Sequence, residues 1–151
     1  GDLMPQLGFD NMYFFEELYP EEKLYDWGDF SSDLDTMERA IDYLVPDDGS
    51  KFYSFLTTLS THGPYDESDE NRQKLEDRGY FDKINYALEN NLWVNPLGDT
   101  SAEERFLYYK AMAMDLDASI GMLLNKLETE GLLDDTVIVL YGDHDARIKK
   151  I

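Results

Sequence analysis

The stretch Gly131-Leu-Leu-Asp-Asp-Thr-Val-Ile-Val-Leu-Tyr-Gly-Asp-His144 decides the fold that this sequence predicts. Residues 137–141 are β-branched or apolar apart from Tyr141, which favours a buried strand that ends at Gly142. Upstream, apolar residues recur in steps of three and four from Phe106 to Leu127. That spacing predicts a helix of about 30 residues, which begins at a capping box, Ser101–Glu104, and ends at Gly131. A long helix that leads directly into a strand is typical of α/β proteins.

Earlier segments repeat the alternation. A helix is predicted over 33–45 from its apolar stripe and the stop at Pro46, and a buried strand over 52–59. Residues 66–80 indicate a surface excursion with a short helix. We therefore expect an α/β fold with a mostly parallel sheet flanked by helices, in which ligands bind beyond the carboxyl ends of the strands. Both histidines of the chain, His62 and His144, follow the predicted strands.

Composition excludes several classes of function. The chain has 151 residues, and its 13 basic against 33 acidic residues give a net charge of −20. Such a surface repels phosphate backbones and anionic lipid headgroups, so neither nucleic-acid binding nor unassisted adsorption to an anionic membrane is expected. The absence of cysteine excludes disulfides, thiolate metal sites and thiol catalysis. No apolar run approaches the length of about 20 residues needed to span a bilayer, and we expect a soluble single domain over 1–151.

Asp143 and His144 are the strongest candidates for chemistry. A carboxylate next to an imidazole suits zinc, manganese or a similar divalent metal, provided that the turn after Gly142 lets both side chains converge. Two ligands are too few for a complete site, and an Asp-His pair in a surface loop is the commoner outcome of this pattern alone. His62 is a candidate general acid or phosphate contact, with a loop-capping histidine as the alternative. Asp117 is a candidate buried acid, with a solvated helix acid as the alternative.

Three segments taken together resemble the sulfatase family of the alkaline-phosphatase superfamily, and most closely its lipoteichoic-acid-synthase and phosphoglycerol-transferase-like extracellular domains. They are Phe52–Tyr65, with its sequence FYSFLTTLSTHGPY, Met114–Gly121, with MDLDASIG, and the stretch Gly131–His144. They occur in the order of the family and at similar intervals. The resemblance implies that the chain is part of an alkaline-phosphatase-like sandwich, namely the C-terminal half of a sulfatase-like catalytic domain.

The resemblance also implies roles for the matched residues. Asp143 and His144 would be two ligands of a catalytic divalent metal, manganese first, with magnesium, zinc and calcium left open. His62 would contact the substrate and assist proton transfer, and Asp117 would be structural. The substrate would be a phospholipid headgroup or another phosphate or sulfate ester. The intact enzyme would transfer phosphoglycerol, or a related phospho or sulfo group, through a covalent Thr, Ser or Cys intermediate.

The same resemblance places the nucleophile, an acidic metal ligand and any membrane helices before Gly1, so we expect the isolated chain to be inactive. The intact protein would act at the extracytoplasmic face of a bacterial cell membrane. Asp145-Ala146-Arg147 departs from the residues that commonly follow Gly-Asp-His in the family, which leaves the class of ester open. Two further alternatives stay open: a dimer formed through an exposed sheet edge, and a non-catalytic acidic binding module with an incidental Asp-His loop.

Overall fold

A computed structural model describes residues 6–20, 32–62, 69–92 and 101–144. Within these ranges, the helices in chain order are α1 (Phe15–Leu18), α2 (Asp33–Leu44), α3 (Asp69–Asp77), α4 (Tyr80–Glu89) and α5 (Ser101–Thr129), followed by a 3-10 turn at Leu133–Asp135. Helix α5 is the central element, since α2, α3 and α4 all pack against it. None of the described helices combines the length and the apolar character needed to cross a membrane.

Helix α2 confirms the prediction for 33–45, to within one residue. Its N-cap is Ser32, whose hydroxyl oxygen accepts a hydrogen bond from the Asp35 backbone N–H at 3.1 Å. The acidic residues of the first turn are stabilised by the positive end of the helix dipole. At the other end, Val45 already has an extended backbone, because the proline that follows it disfavours helical geometry.

Helix α5 confirms the predicted long helix and its end at Gly131. Leu132 N–H donates to the Leu127 carbonyl at 2.8 Å, and Gly131 N–H donates to the Glu128 carbonyl at 3.0 Å. With the φ of Gly131 at +70°, these bonds form a Schellman motif, which requires the left-handed backbone that glycine adopts most readily. The predicted capping box lies outside the side chains that the structure describes.

The main apolar core lies between α3, α4 and α5. Its fully buried members are Leu75, Tyr80, Ile84, Tyr108, Ala111 and Met112. The short helix expected within 66–80 is therefore α3, but it is anchored by Leu75 at 0% exposure rather than lying wholly on the surface. Helix α4 was not predicted. The most buried face of α5 also differs from the predicted stripe, because it includes Asp115 and Ser119.

The predicted α/β fold is wrong for the described residues, which contain no strand and no sheet. The two predicted strands, 52–59 and 137–141, have no regular secondary structure, and neither takes part in a ladder of backbone hydrogen bonds. Val137 remains 88% exposed and Tyr141 72% exposed. β-Branched composition favours an extended backbone, whereas a sheet also requires a second strand alongside it. An alkaline-phosphatase-like sandwich is accordingly not observed in this part of the chain.

Candidate functional site

The structure brings His62 and His144 together. Their ring centroids lie 5.8 Å apart, and the ring planes are inclined at 76° in an edge-to-face arrangement. The two residues are far apart in sequence and follow segments 52–59 and 137–141. The sequence-based expectation that both histidines lie in one region therefore agrees with the described geometry, although no sheet carries them there.

Asp143 lies beside His144, with its Oδ1 3.7 Å from His144 Nε2. Their side chains are 82% and 40% exposed, so both donors are accessible to an ion from solvent. A carboxylate oxygen and an imidazole nitrogen at this separation fit the donor chemistry of a divalent cation such as manganese or zinc. Among the residues that the structure describes, however, no group of three or more histidine, aspartate or glutamate side chains is arranged to hold a metal. The pair therefore fits part of a metal site.

A backbone turn places His62. Its N–H donates to the Leu59 carbonyl at 2.9 Å, which closes the turn 59–62 at the end of segment 52–59. Asp33, the first residue of α2, holds this turn in place through hydrogen bonds. Asp33 Oδ1 accepts from Leu59 N–H at 2.9 Å, and Oδ2 accepts from Ser60 N–H at 3.2 Å. The Ser60 hydroxyl oxygen accepts from the Asp33 N–H at 3.2 Å, so the two residues bond reciprocally.

The hydrogen bonds between Asp33 and Ser60 are strengthened by burial. Asp33 is 4% exposed and Ser60 is 0% exposed. Burial raises the pKa of Asp33 above its usual value, and the nearby Asp115 carboxylate adds to the rise, while the hydrogen bonds from Ser60 and Leu59 oppose it. A buried carboxylate with these partners is costly to leave unsatisfied, so the turn and the start of α2 hold each other in place.

A second buried network fixes the start of α2 to α5. Asp115 Oδ2 accepts from the Ser32 hydroxyl at 2.8 Å and from the Leu34 N–H at 3.2 Å. Arg78, between α3 and α4, pairs with both Asp115 and Asp35. Although burial opposes its charged form, these two carboxylates raise the pKa of the Arg78 guanidinium. Two helices, α2 and α5, and the α3–α4 connection are thus joined by charge at one point.

Neither network was found from the sequence. Asp33 was assigned only to the start of a helix, and neither Ser32 nor Ser60 was assigned a role. A signal for Asp115 did exist, because it follows Ala111 by four residues on the same face of α5. Asp117 is exposed, which agrees with a solvated helix acid and not with a buried one.

An open cleft of about 460 Å³ lies between α4 and α5, away from the histidines. Apolar side chains such as Ile84, Phe106 and Met114 line it, and Asp117 borders it. It contains neither His62 nor Asp143 nor His144, so it has no part in the site described above.

Comparisons with known proteins identify the family of the chain. The sulfatase family model matches residues 2–150. A lipoteichoic acid synthase from Staphylococcus saprophyticus is 30% identical over 112 residues, which cover 74% of this chain and 14% of that protein. An ulvan-active sulfatase from Formosa agariphila is 27% identical over 138 residues, which cover 90% of this chain and 25% of that protein.

The chain thus spans a quarter or less of the length of these two relatives. No solved structure matches it. The resemblance noted from the Gly131–His144 stretch is confirmed at the level of the family. Because the family match extends over nearly the whole sequence, the chain belongs to the sulfatase family.

Proposed function

We propose that this chain is the part of a sulfatase-family enzyme that supplies two metal ligands, Asp143 and His144, and one histidine that faces the substrate, His62. The observation that carries the proposal is the 5.8 Å separation of the His62 and His144 rings. A substrate oxygen bound near the metal pair would lie within reach of the second imidazole, which is the arrangement that proton transfer requires.

In the proposed reaction, an ester bond from phosphorus or sulfur to oxygen is broken, and the leaving alcohol oxygen takes a proton from His62. An imidazole suits this role because its usual pKa lies near neutrality. The group passes through a covalent Thr, Ser or Cys intermediate in the intact protein and then to water or an acceptor hydroxyl. When bound, the divalent metal, for which we favour manganese, neutralises charge on the transferred group. The carboxylate of Asp143 and a neutral His144 would hold it, together with donors from elsewhere in the protein.

For the substrate we favour the phosphoglycerol headgroup of a phospholipid, with a sulfate ester as the alternative. The similarity to a lipoteichoic acid synthase supports the first, and the similarity to an ulvan-active sulfatase supports the second. With the first substrate, the intact enzyme acts at the extracytoplasmic face of a bacterial membrane. Turnover of phosphatidylglycerol vesicles by the intact protein, compared with turnover of an aryl sulfate, separates the two. Turnover of neither in the presence of manganese would contradict the proposal.

The metal pair is tested directly on this chain by NMR titration with manganese. Paramagnetic broadening should appear first at Asp143, His144 and the His62 ring, because broadening falls steeply with distance from the ion. Asp143→Ala and His144→Ala should each abolish it, whereas Asp134→Ala, which removes an exposed acid from the same stretch, should leave it unchanged.

The affinity is expected to be weak, since the described donors form only part of a site. A manganese dissociation constant of about 1 μM or tighter by calorimetry would show that the chain holds a complete site. Broadening spread evenly over the acidic surface, and insensitive to both substitutions, would show that Asp143 and His144 form an incidental surface loop.

A further inference from the structure

We infer that Asp33 is a positioning residue for His62, which it sets against His144 by holding the turn 59–62. The significance of this role for catalysis rests on the function proposed above, but the geometry does not depend on it. The Asp33 carboxylate acts through the backbone N–H groups of Leu59 and Ser60.

The first step of the argument is the number of bonds between Asp33 and the turn. Both carboxylate oxygens accept backbone N–H groups, from Leu59 at 2.9 Å and from Ser60 at 3.2 Å. The Asp33 N–H donates to the Ser60 hydroxyl at 3.2 Å. Three bonds between two short segments fix the relative position and the orientation of the turn, whereas a single bond leaves rotation about its axis.

The second step is the short path from these bonds to the histidine. His62 N–H donates to the carbonyl of Leu59, the same residue whose N–H is held by Asp33. A shift of Leu59 therefore moves both ends of the turn. The His62 side chain is exposed, so little apolar packing competes with the backbone in setting its position.

The third step is that Asp33 is itself immobilised. Its neighbour Ser32 donates to Asp115 at 2.8 Å, and Arg78 donates to the Ser32 hydroxyl oxygen at 2.6 Å. These bonds join the start of α2 to α5, whose side chain at 115 is fully buried. The turn that carries His62 is thereby held in a fixed position relative to α5, although segment 52–59 before it has no regular secondary structure.

The test compares Asp33→Asn with wild type and with Asp42→Asn, which removes an exposed acid from the same helix. Asparagine keeps one acceptor and turns an N–H₂ group toward the second backbone N–H. Amide exchange at Leu59 and Ser60 should accelerate by about tenfold or more, as loss of a hydrogen bond to a charged group predicts. The nuclear Overhauser effect between the His62 and His144 rings should weaken, while the protection of Ala111 in α5 is retained.

A general loss of stability would accelerate exchange throughout α5 and so differs from the expected pattern. If Asp33→Asn does not fold, Ser60→Ala decides the question, because it removes only the hydroxyl that accepts from Asp33. It should weaken the same ring-to-ring effect to a smaller extent. An unchanged effect between His62 and His144 in the variant that folds would overturn the inference. Absence of manganese broadening in wild type would instead overturn the proposed function and leave the positioning role standing.

Discussion

Replacing Asp115 by alanine should destabilise this protein more than any other single removal of an acid. The side chain is 0% exposed and accepts hydrogen bonds from Ser32, from the Leu34 backbone and from Arg78. Breaking a buried ion pair by removing one partner costs about 3–5 kcal/mol. The Arg78 side chain is 22% exposed and keeps its bond to Asp35, which places the expected loss at the lower end, about 3 kcal/mol.

The matched control is Asp117→Ala, which removes the same charge from the same helix at an exposed position and should cost no more than about 0.5 kcal/mol. Urea unfolding followed by far-ultraviolet circular dichroism measures both. With a slope of about 2 kcal/mol per M, the midpoint of Asp115→Ala should fall by roughly 1.5 M. Equal midpoints for the two variants would refute the assignment of Asp115 as the charge that joins α2, α5 and the α3–α4 connection.

Three further predictions concern stability. The raised pKa of Asp33 means that the folded state holds its proton more tightly than the unfolded state does. The stability of wild type relative to Asp33→Asn should therefore decline as the pH rises from the usual aspartate pKa through the raised pKa of Asp33. Urea midpoints between about pH 4 and 8 check this, and an increase in the relative stability of wild type over that range would contradict it. Gly131→Ala should lower the free energy of unfolding by about 1 kcal/mol, because the φ of Gly131 is +70°. Gly121→Ala, within α5 and with open space within 4 Å of an added Cβ, should raise it by about 0.5 kcal/mol or more. Thermal unfolding should rank Gly121→Ala above wild type and wild type above Gly131→Ala, and any other order counts against the Schellman end of α5. Leu75→Ala should lower the free energy of unfolding by about 2–5 kcal/mol, and Leu124→Ala should lower it clearly less because Leu124 is 38% exposed. Similar losses for the two variants in urea unfolding would show that α3 is not anchored in the core.

The helices show which features of the fold local sequence predicts. The limits of α2 and the end of α5 could be predicted because caps, proline stops and glycine ends act over a few residues. Helix α4 was missed, and the most buried face of α5 was displaced from the predicted stripe. Periodicity assigns polar residues to the outside, but Asp115 and Ser119 face inward, and Asp115 is satisfied there by partners that are distant in sequence.

The sheet was predicted wrongly for a related reason. Segments 52–59 and 137–141 have the composition of strands, but neither forms one. Strand pairing depends on a second segment at the correct distance and register, which composition does not reveal. Without a paired strand, apolar side chains of both segments remain exposed, as Phe55 and Val137 show.

By itself, the sequence determined the family, the long helix with its glycine end, and the choice of Asp143, His144 and His62 as candidates, because each of these depends on residue types at short spacing. Only the tertiary structure decided that His62 and His144 lie 5.8 Å apart, and that Asp33 and the Arg78–Asp115 pair hold the elements around them. These are contacts between segments that are distant along the chain, and their strength depends on burial. Burial is a property of the packed chain, so no local pattern of residues reports it.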